Sequence, residues 1–486
     1  MPLLALIYPS VFLATKYDPL LLFKERDAPL LNVAEAVAYF EKLILKALEP
    51  LTSDAVTSGP EDETWYWAAP ILLDRLEYPR ETKEWWNNES LASIWSGESE
   101  NQEKDKTEDE TNSAWSAHVE EARKVALSTL RPQGRPPQDL AIVLAQIALA
   151  SPAVSSLRAL ARVAAGNISL GNSILRNKAG ALGWAFRSLF NTPENTSLIR
   201  GNDAREPYWR RVLEYCVNGN LQSTLDEYAH VLKDLAARVD GSPMEIVEDI
   251  SSALSKATSI RIAQPGADRI WVDDANKKVM IKKERLRSRF AMRYGDEQAD
   301  DGRMLFRADS VRQAFNSPFW PFVLITTSVG QEGLDFHPYC HAVVHWNLPS
   351  NPVDLEQREG RVHRFKGHAV RRNIAIHFGR ELNLNVLTDP WQEMFEAAET
   401  IAEDKQGLNP FWVFPIKNGA VIERHVMALP LSREAARLPA LRKSLAVYRM
   451  VFGQPRQDDL LSYLMAKMPR PELIKCLEQI KIDLSP

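Results

Sequence analysis

Residues 357–364 read QREGRVHR, and they lie in a stretch that begins behind Pro352 and has helical spacing. Gln357, Arg361 and Arg364 recur at intervals of four and three residues, so they are predicted to share one helix face. Guanidinium groups stay ionised and donate hydrogen bonds in a planar fork, which suits them to phosphate. The stretch therefore predicts a helix that presents arginines to an anionic partner.

A second informative stretch precedes this helix. Residues 326–336 read TTSVGQEGLDF and follow an apolar run, PFVLITT (321–327), that predicts a buried strand. Gly330 and Gly333 place small residues in the loop after that strand. Such loops let backbone amides approach a phosphate or a ribose.

The surrounding pattern predicts a mostly parallel α/β sheet, because strand-like and helix-like segments alternate at short spacing. Before residue 290, DRIWVDD and KKVMIKK surround a short turn at residues 274–276. The other segments predicted in this part are strands at residues 287–295, 321–327, 340–347 and 371–378 and helices at residues 307–315 and 354–365.

The remaining chain is predicted to be helical. Residues 1–240 carry apolar residues at helical spacing, interrupted by an acidic loop at residues 97–114 that has too few apolar side chains to bury a core. An α/β domain at residues 241–390 and a helical C-terminal extension at residues 391–486 complete the predicted organisation.

Composition indicates an ordinary globular chain. Its 486 residues carry a net charge of −5, so any nucleic-acid site must be a local basic patch. The three cysteines, Cys216, Cys340 and Cys476, are far apart and form no CxxC pair, which favours the reducing cytoplasm. The apolar N-terminus lacks the basic region and cleavage site of a signal peptide, and no membrane association is expected.

The two stretches together resemble a known family. TTSVGQEGLD is similar to motif V of superfamily 2 helicases and translocases, and QREGRVHR is similar to motif VI, with its Q-R-x-G-R-x-x-R spacing intact. VVHWNLPSNPVDLEQ resembles the segment that joins these motifs, and the pattern is most similar to bacterial Snf-like translocases. The resemblance covers roughly residues 307–378 and implies a RecA-like helicase C-terminal lobe.

The resemblance also implies roles for single residues. Arg361 and Arg364 would be arginine fingers, which are catalytic groups that face the γ-phosphate of ATP on a partner lobe. Gln357 would couple the nucleotide state to closure of the lobes. Gly333 and Asp335 would lie near the ribose, and Thr326 or Thr327 would touch the nucleic-acid backbone. For Arg358, the sequence is equally compatible with a role at the site and with a salt bridge on its own helix.

The chain departs from the family in one important respect. No G-x-x-x-x-G-K-[ST] sequence occurs in it, although that loop supplies the amides and lysine that hold the phosphates and Mg²⁺. A DEAH box after a strand is also absent. Residues 226–230, DEYAH, have one residue too many and are predicted to be helical. ATP and Mg²⁺ are therefore expected mainly on another lobe.

Other residue clusters have ordinary structural interpretations. His337, Cys340, His341 and His345 have no common zinc spacing, so no metal site is expected. The aromatic residues at positions 184, 186 and 190 are predicted to be helical core. The basic stretch at residues 277–293 suits either phosphate contacts or a solvated strand face.

Two hypotheses of function follow. In the first, the chain is half of an ATP-dependent nucleic-acid translocase, with DNA as the favoured substrate, and a P-loop lobe on another chain completes the site. In the second, it is a non-catalytic interaction module for nucleic acid or protein, or a truncated helicase fragment. Long helicases of this kind often serve phage defence, an association that rests on the resemblance alone.

Overall fold

The chain forms two compact units, each described separately below. The first comprises Met1–Met292, Asp301–Ala314 and Leu382–Glu393, and the second comprises Arg293–Asp300, Phe315–Glu381 and Met394–Pro486. The computed structural model describes residues 2–24, 32–53, 56, 58–88, 91, 95, 108–201, 206–236, 241–258, 266–273, 278–285, 312–319, 322–325, 338–380, 387–401, 408–428, 430–451, 472 and 475. The predicted domain boundaries at residues 240 and 390 stay predictions.

The first unit is mainly helical, as the apolar periodicity predicts. Its helices are α1 (Leu4–Ile7), α2 (Val11–Lys16), α3 (Leu21–Lys24), α4 (Val33–Thr52), α5 (Trp65–Glu77), α6 (Pro79–Trp86), α7 (Glu108–Leu127), α8 (Leu140–Ala150), α9 (Pro152–Val163), α10 (Ser173–Phe190), α11 (Pro193–Arg200), α12 (Tyr208–Asn218), α13 (Leu221–Ala236) and α14 (Pro243–Thr258). Part of the predicted acidic loop is helical, since α7 begins at Glu108. The rest of that loop, residues 97–107, lies outside the described residues.

The N-terminal segment belongs to the core of this unit. Tyr8 and Ser10 donate hydrogen bonds to the fully buried carboxylate of Asp74, at 2.6 and 2.8 Å, and the Phe12 amide donates to it at 2.8 Å. Arg176 pairs with the same carboxylate at 3.3 Å. Because each of these groups is buried, the contacts are needed to offset the desolvation of the charges.

A second buried ionic network ties distant helices together. Arg162 on α9 donates to both carboxylate oxygens of Asp18 at 2.7 Å and also pairs with Asp226 on α13. Burial raises the pKa of Asp226 to about 6, although its pairing with Arg162 opposes that rise. Arg158, one turn earlier, donates to the carbonyls of Leu13 and Tyr17, each at 2.9 Å. The N-terminal segment is therefore fixed by named polar contacts as well as by apolar packing.

One apolar stretch of the described chain is long enough to span a membrane. It runs over Leu140–Val163, which is α8 followed by α9, and 89% of its most apolar window is buried inside the structure. Ser151 caps α9 and Pro152 begins it, so the stretch changes direction there. Buried core helices meet the same length and composition criteria, so this finding is weak support for a membrane span.

The first unit also contains a two-stranded antiparallel sheet, which follows α14 in sequence. β1 (Gly266–Asp273) pairs with β2 (Lys278–Arg285), with Ile270 opposite Ile281 and Trp271 opposite Met280. This pairing agrees with the sequence pattern, in which these two stretches surround a short turn at residues 274–276. The four side chains are 41–63% exposed. The basic stretch at residues 277–293 stays a prediction, since most of its side chains lie outside the described set.

The second unit combines a parallel strand pair with helices. Its elements are β3 (Ala342–His345), α15 (Pro352–Gly360), α16 (His368–Phe378), the later part of α17 (Pro390–Ile401), β4 (Glu423–Val426) and α18 (Glu434–Val451). β3 confirms the strand predicted at residues 340–347, and it pairs in parallel with β4. β4 lies inside the range predicted as a helical extension, so this part of the prediction is wrong for residues 423–426.

The strand predicted at residues 371–378 is also wrong. These residues form most of α16, which begins after Gly367. Val370, Ile374 and Phe378 are all buried and lie four residues apart, which is the helical spacing. The alternation of polar and apolar residues suggested a strand with one exposed face. The polar residues Arg371 and Asn373 are instead buried on this helix.

The buried strand predicted at residues 321–327 does not appear in its described part. Residues 322–325 join neither strand pair, and Phe322, Val323 and Ile325 are 63%, 75% and 91% exposed. The helix predicted at residues 307–315 is present at residues 312–315, the part that is described. Apolar composition alone therefore predicted burial that this segment does not have.

Candidate nucleotide-facing turn

The arginines of interest follow a short helix. Asn351 caps α15 through its side-chain oxygen, which accepts from the Val353 amide at 2.9 Å. The helix ends at Gly360, and Arg361 is its C-cap. Arg364 lies beyond the helix, so the predicted common helix face of residues 357, 361 and 364 is wrong. Both Gln357 and Arg364 are exposed, whereas Arg361 is half-buried.

Residues 361–367, here called the finger turn, are held by backbone hydrogen bonds. The amides of Val362 and His363 both donate to the Glu359 carbonyl, at 3.0 and 3.2 Å. The Gly367 amide donates to the Arg364 carbonyl at 2.9 Å. Lys366 has a φ of 48°, in the left-handed region, and this residue turns the chain away from the helix axis. These contacts fix the turn that carries both arginines.

Glu359 anchors the start of the finger turn. Its carboxylate accepts from His345 of β3 at 3.2 Å and forms a two-pronged ion pair with Arg424 of β4. Burial acts to raise the pKa of Glu359, but the hydrogen bonds from His345 and Arg424 outweigh it and lower that pKa to about 2. The end of α15 is therefore bound to both strands of the sheet.

Arg358 contacts the backbone of the segment that precedes α15. Its guanidinium donates to the backbone carbonyl of Asn347 at 3.0 Å, in the segment between β3 and α15. An ion pair joins α18 to α15, since Arg449 of α18 donates twice to Glu356 at 2.7 and 3.0 Å. Packing adds to this, because Leu355 of α15 is fully buried in one cluster with Leu348, Leu441 and Leu445.

The far end of the finger turn is held by aromatic residues. The Lys366 amide donates to the Phe411 carbonyl at 2.7 Å, and the Lys366 ammonium lies 4.3 Å from the ring centroid of Phe395. Phe365 stacks on Phe411 with a centroid distance of 5.4 Å. Arg371, on α16, donates to the Lys366 carbonyl at 2.6 Å. The turn is thus fixed at each end by partners outside the QREGRVHR stretch.

His363 lies between the two arginines in sequence and is half-buried. Burial lowers its pKa, and the positive charge of Arg364 lowers it further. A neutral imidazole at this position adds no further positive charge to the turn near pH 7. The net charge that the turn offers therefore comes from its arginines and Lys366.

Four predicted site residues lie outside the described residues: Gly333, Asp335, Thr326 and Thr327. The structure therefore does not test their predicted positions near a ribose or a nucleic-acid backbone. His337 of the histidine-rich cluster lies outside as well. Of the predicted set, the described residues bring together Arg361 and Arg364 on one turn, with Gln357 on the helix before it.

The rest of the histidine-rich cluster has structural contacts. His345 is buried and bonds to Glu359, and the ring of His341 lies 5.1 Å from that of His368. Among the described residues, no three His, Cys, Asp or Glu side chains come together as metal ligands do. The DEYAH sequence is helical as predicted, since Asp226 and His230 lie buried on α13.

The chemistry of the finger turn suits one part of an ATP site. Guanidinium groups can donate to phosphate oxygens, which is what Arg361 and Arg364 offer. The turn has no group of carboxylates that would hold Mg²⁺, so its described residues fit contact with the phosphates and not retention of the metal ion.

Sequence reasoning missed the residues that fix the finger turn, namely Arg424, Phe411 and Arg371. Arg424 lies 65 residues along the chain from Glu359, and only pairing of β3 with β4 brings the two together. A signal in the sequence was the presence of Arg371 and Asn373 among the apolar residues of α16.

Comparison with known families gives one match. Residues 294–366 match the family described as Helicase conserved C-terminal domain. The matched range contains both stretches that carried the resemblance and ends at Lys366 of the finger turn. Searches of the curated proteins and of the solved structures gave no match. The match supports a helicase C-terminal lobe in this part of the chain.

Proposed function

We propose that this chain is the C-terminal part of an ATP-dependent nucleic-acid translocase. It supplies Arg361 and Arg364 to ATP and Mg²⁺ that are bound mainly by a P-loop lobe elsewhere, on another chain or in a segment outside this sequence. DNA is the proposed nucleic acid, and the bacterial Snf-like group is the proposed subfamily. On this proposal the protein works in the cytoplasm.

The observation that carries this proposal is the finger turn itself. It holds two arginines within the matched range, one half-buried and one exposed, and contacts on both sides of the turn fix its backbone. An arginine in such a position stabilises the charge that develops on the transferred phosphoryl group. Fixing the donor before the reaction avoids reorganisation during it, which is why a rigid turn suits this role.

A second function is favoured by a separate observation. No P-loop sequence occurs anywhere in the 486 residues, so ATP turnover by this chain alone is not expected. The alternative is a lobe that serves as a non-catalytic binding module for nucleic acid or protein. In that case the arginines would contact the phosphates of the nucleic acid itself.

ATP turnover separates the two functions. The rate would be measured with double-stranded DNA for the chain alone and for its mixture with a P-loop lobe encoded by a neighbouring gene. Turnover in the mixture alone, reduced on the order of 10³-fold by Arg361→Ala, supports the translocase. Arg372→Ala, an exposed arginine of α16, is the matched control. DNA binding without turnover in either preparation would favour the binding module and reject the translocase.

A further inference from the structure

The helix that follows the finger turn carries a buried arginine. Arg371 is 0% exposed, although it lies one turn into α16 beside the exposed Arg372. A guanidinium group in this position costs free energy unless its donors are used. Its contacts therefore indicate what the charge does in the structure.

Arg371 holds two backbone carbonyls from separate parts of the chain. One is Lys366, five residues earlier, at 2.6 Å, and the other is Pro338, 33 residues earlier, at 2.8 Å. The guanidinium carbon also lies 4.8 Å from the ring centroid of Tyr339. The planar fork of arginine can reach two acceptors at once, which a lysine ammonium on a shorter reach cannot do in the same geometry.

The first of these carbonyls belongs to the finger turn. Lys366 is held at both of its backbone polar groups, since its amide bonds to Phe411 and its carbonyl to Arg371. It also has the left-handed φ that turns the chain. The Arg364 carbonyl accepts a hydrogen bond from the amide of Gly367, the residue that follows Lys366. A shift of the Lys366 backbone is therefore expected to move Arg364 as well.

The second carbonyl belongs to the segment that enters β3. Pro338 follows residues 326–336 closely in sequence, and that stretch contains the predicted ribose-side residues Gly333 and Asp335. A single side chain thus connects the finger turn to the segment directly after the other predicted nucleotide-binding stretch.

We propose that Arg371 is a positioning residue that couples the finger turn to the segment at Pro338 and Tyr339, and so sets the placement of Arg361 and Arg364 toward ATP. This inference rests on the proposed function for its catalytic consequence, but the coupling itself does not require ATP. Arg371 touches neither nucleotide nor nucleic acid in this proposal, and it acts through the two carbonyls that it binds.

The test compares Arg371→Lys with Arg372→Lys, which makes the same change on an exposed residue of the same helix. Hydrogen exchange would be measured on the chain alone, in peptides that cover residues 361–367 and 338–341. We expect Arg371→Lys to speed exchange in both peptides together, by about tenfold or more, with no change for Arg372→Lys. Exchange at the wild-type rate, or faster exchange in only one of the two peptides, would overturn the coupling.

Turnover in the mixture with the P-loop lobe gives the second measurement. We expect Arg371→Lys to lower kcat about tenfold and to leave KM for ATP within about twofold, because misplaced fingers weaken the transition state more than the bound substrate. A variant that melts at a lower temperature but keeps the wild-type kcat per folded molecule would show a purely structural role. A wild-type mixture without turnover would reject the proposed function, while the exchange result would still decide the coupling.

A second variant covers the case in which Arg371→Lys does not fold. Tyr339→Leu removes the ring beneath the guanidinium and keeps an apolar side chain at a half-buried position. We expect a change in exchange of the same direction and smaller size, in both peptides. Exchange unchanged in both peptides of a folded Tyr339→Leu variant would count against the coupling.

Discussion

Glu359 on α15 and Arg424 on β4 form a two-pronged ion pair across 65 residues of sequence. Glu359 is the third residue of the QREGRVHR stretch, and Arg424 belongs to a strand that the sequence did not reveal. The start of the finger turn is therefore held by the sheet. This relationship explains why the turn is expected to depend on residues far from the arginines that it presents.

Acid should weaken the anchor at Glu359. Its folded-state pKa is lowered to about 2 from the ordinary value of 4.5, so its stabilising contribution is complete above about pH 4.5. That contribution is lost as the pH falls toward 2. Thermal unfolding of the wild type and of Glu359→Gln would be compared from pH 7 to pH 2. We expect a difference on the order of 2 kcal/mol at neutral pH that closes in acid; a difference that stays constant would contradict the anchor.

Substitution of Arg358 should affect mainly the stability of the fold, and substitution of Arg361 mainly ATP turnover. Arg358 donates to the Asn347 carbonyl, so Arg358→Ala is expected to lower the free energy of unfolding by about 1–2 kcal/mol. Its effect on turnover in the mixture should be small. Arg361→Ala should do the reverse, with a large loss of turnover and little change in unfolding. Chemical denaturation and turnover of the two variants check this; equal losses of turnover would argue against a special role of Arg361.

Base should weaken a buried contact of the first unit. His230 on α13 lies 2.7 Å from Asp389 and 3.3 Å from Asp234, and its ring stacks on Trp391. Burial acts to lower the pKa of His230, but Asp389 and Asp234 together outweigh it and the pKa is raised. A raised folded-state pKa means that the stabilisation is complete below about pH 6.5 and is lost as the pH rises through the folded value. The melting temperature of the wild type should therefore fall relative to that of His230→Gln between pH 6 and pH 9. Parallel melting curves across that range would contradict this prediction.

The side chain of Asn373 should stabilise the loop that follows α17, at residues 414–420. Its fully buried side chain donates to the Phe414 and Ala420 carbonyls at 3.0 and 3.1 Å and accepts from the Ala420 amide at 2.6 Å. Asn373→Ala leaves these backbone groups without that partner, so we expect a loss of about 2–4 kcal/mol in the free energy of unfolding. Denaturant unfolding measures it, with the exposed Arg372→Ala of the same helix as control. A loss no larger than that of the control would show that the loop does not depend on this side chain.

The sequence by itself was enough to show that residues 294–366 are similar to a helicase C-terminal domain. The spacing of QREGRVHR singled out Arg361 and Arg364 as candidate site residues, because such a motif encodes local chemistry in a short run of residues. It also determined that no P-loop is present, and helical periodicity correctly predicted most of the first unit. These features depend on neighbours in sequence, which a single chain shows directly.

Only the tertiary structure decided what holds those arginines in place. The end of α15 at Gly360, the helical state of residues 371–378 and the strand at residues 423–426 each depend on contacts between distant segments. An alternating sequence such as RRNIAIHF satisfies either a strand or a helix locally, and burial of Ile374 and Phe378 selects the helix. The same holds for Arg371 and Arg424, because a charged side chain gains its role from partners that folding brings to it.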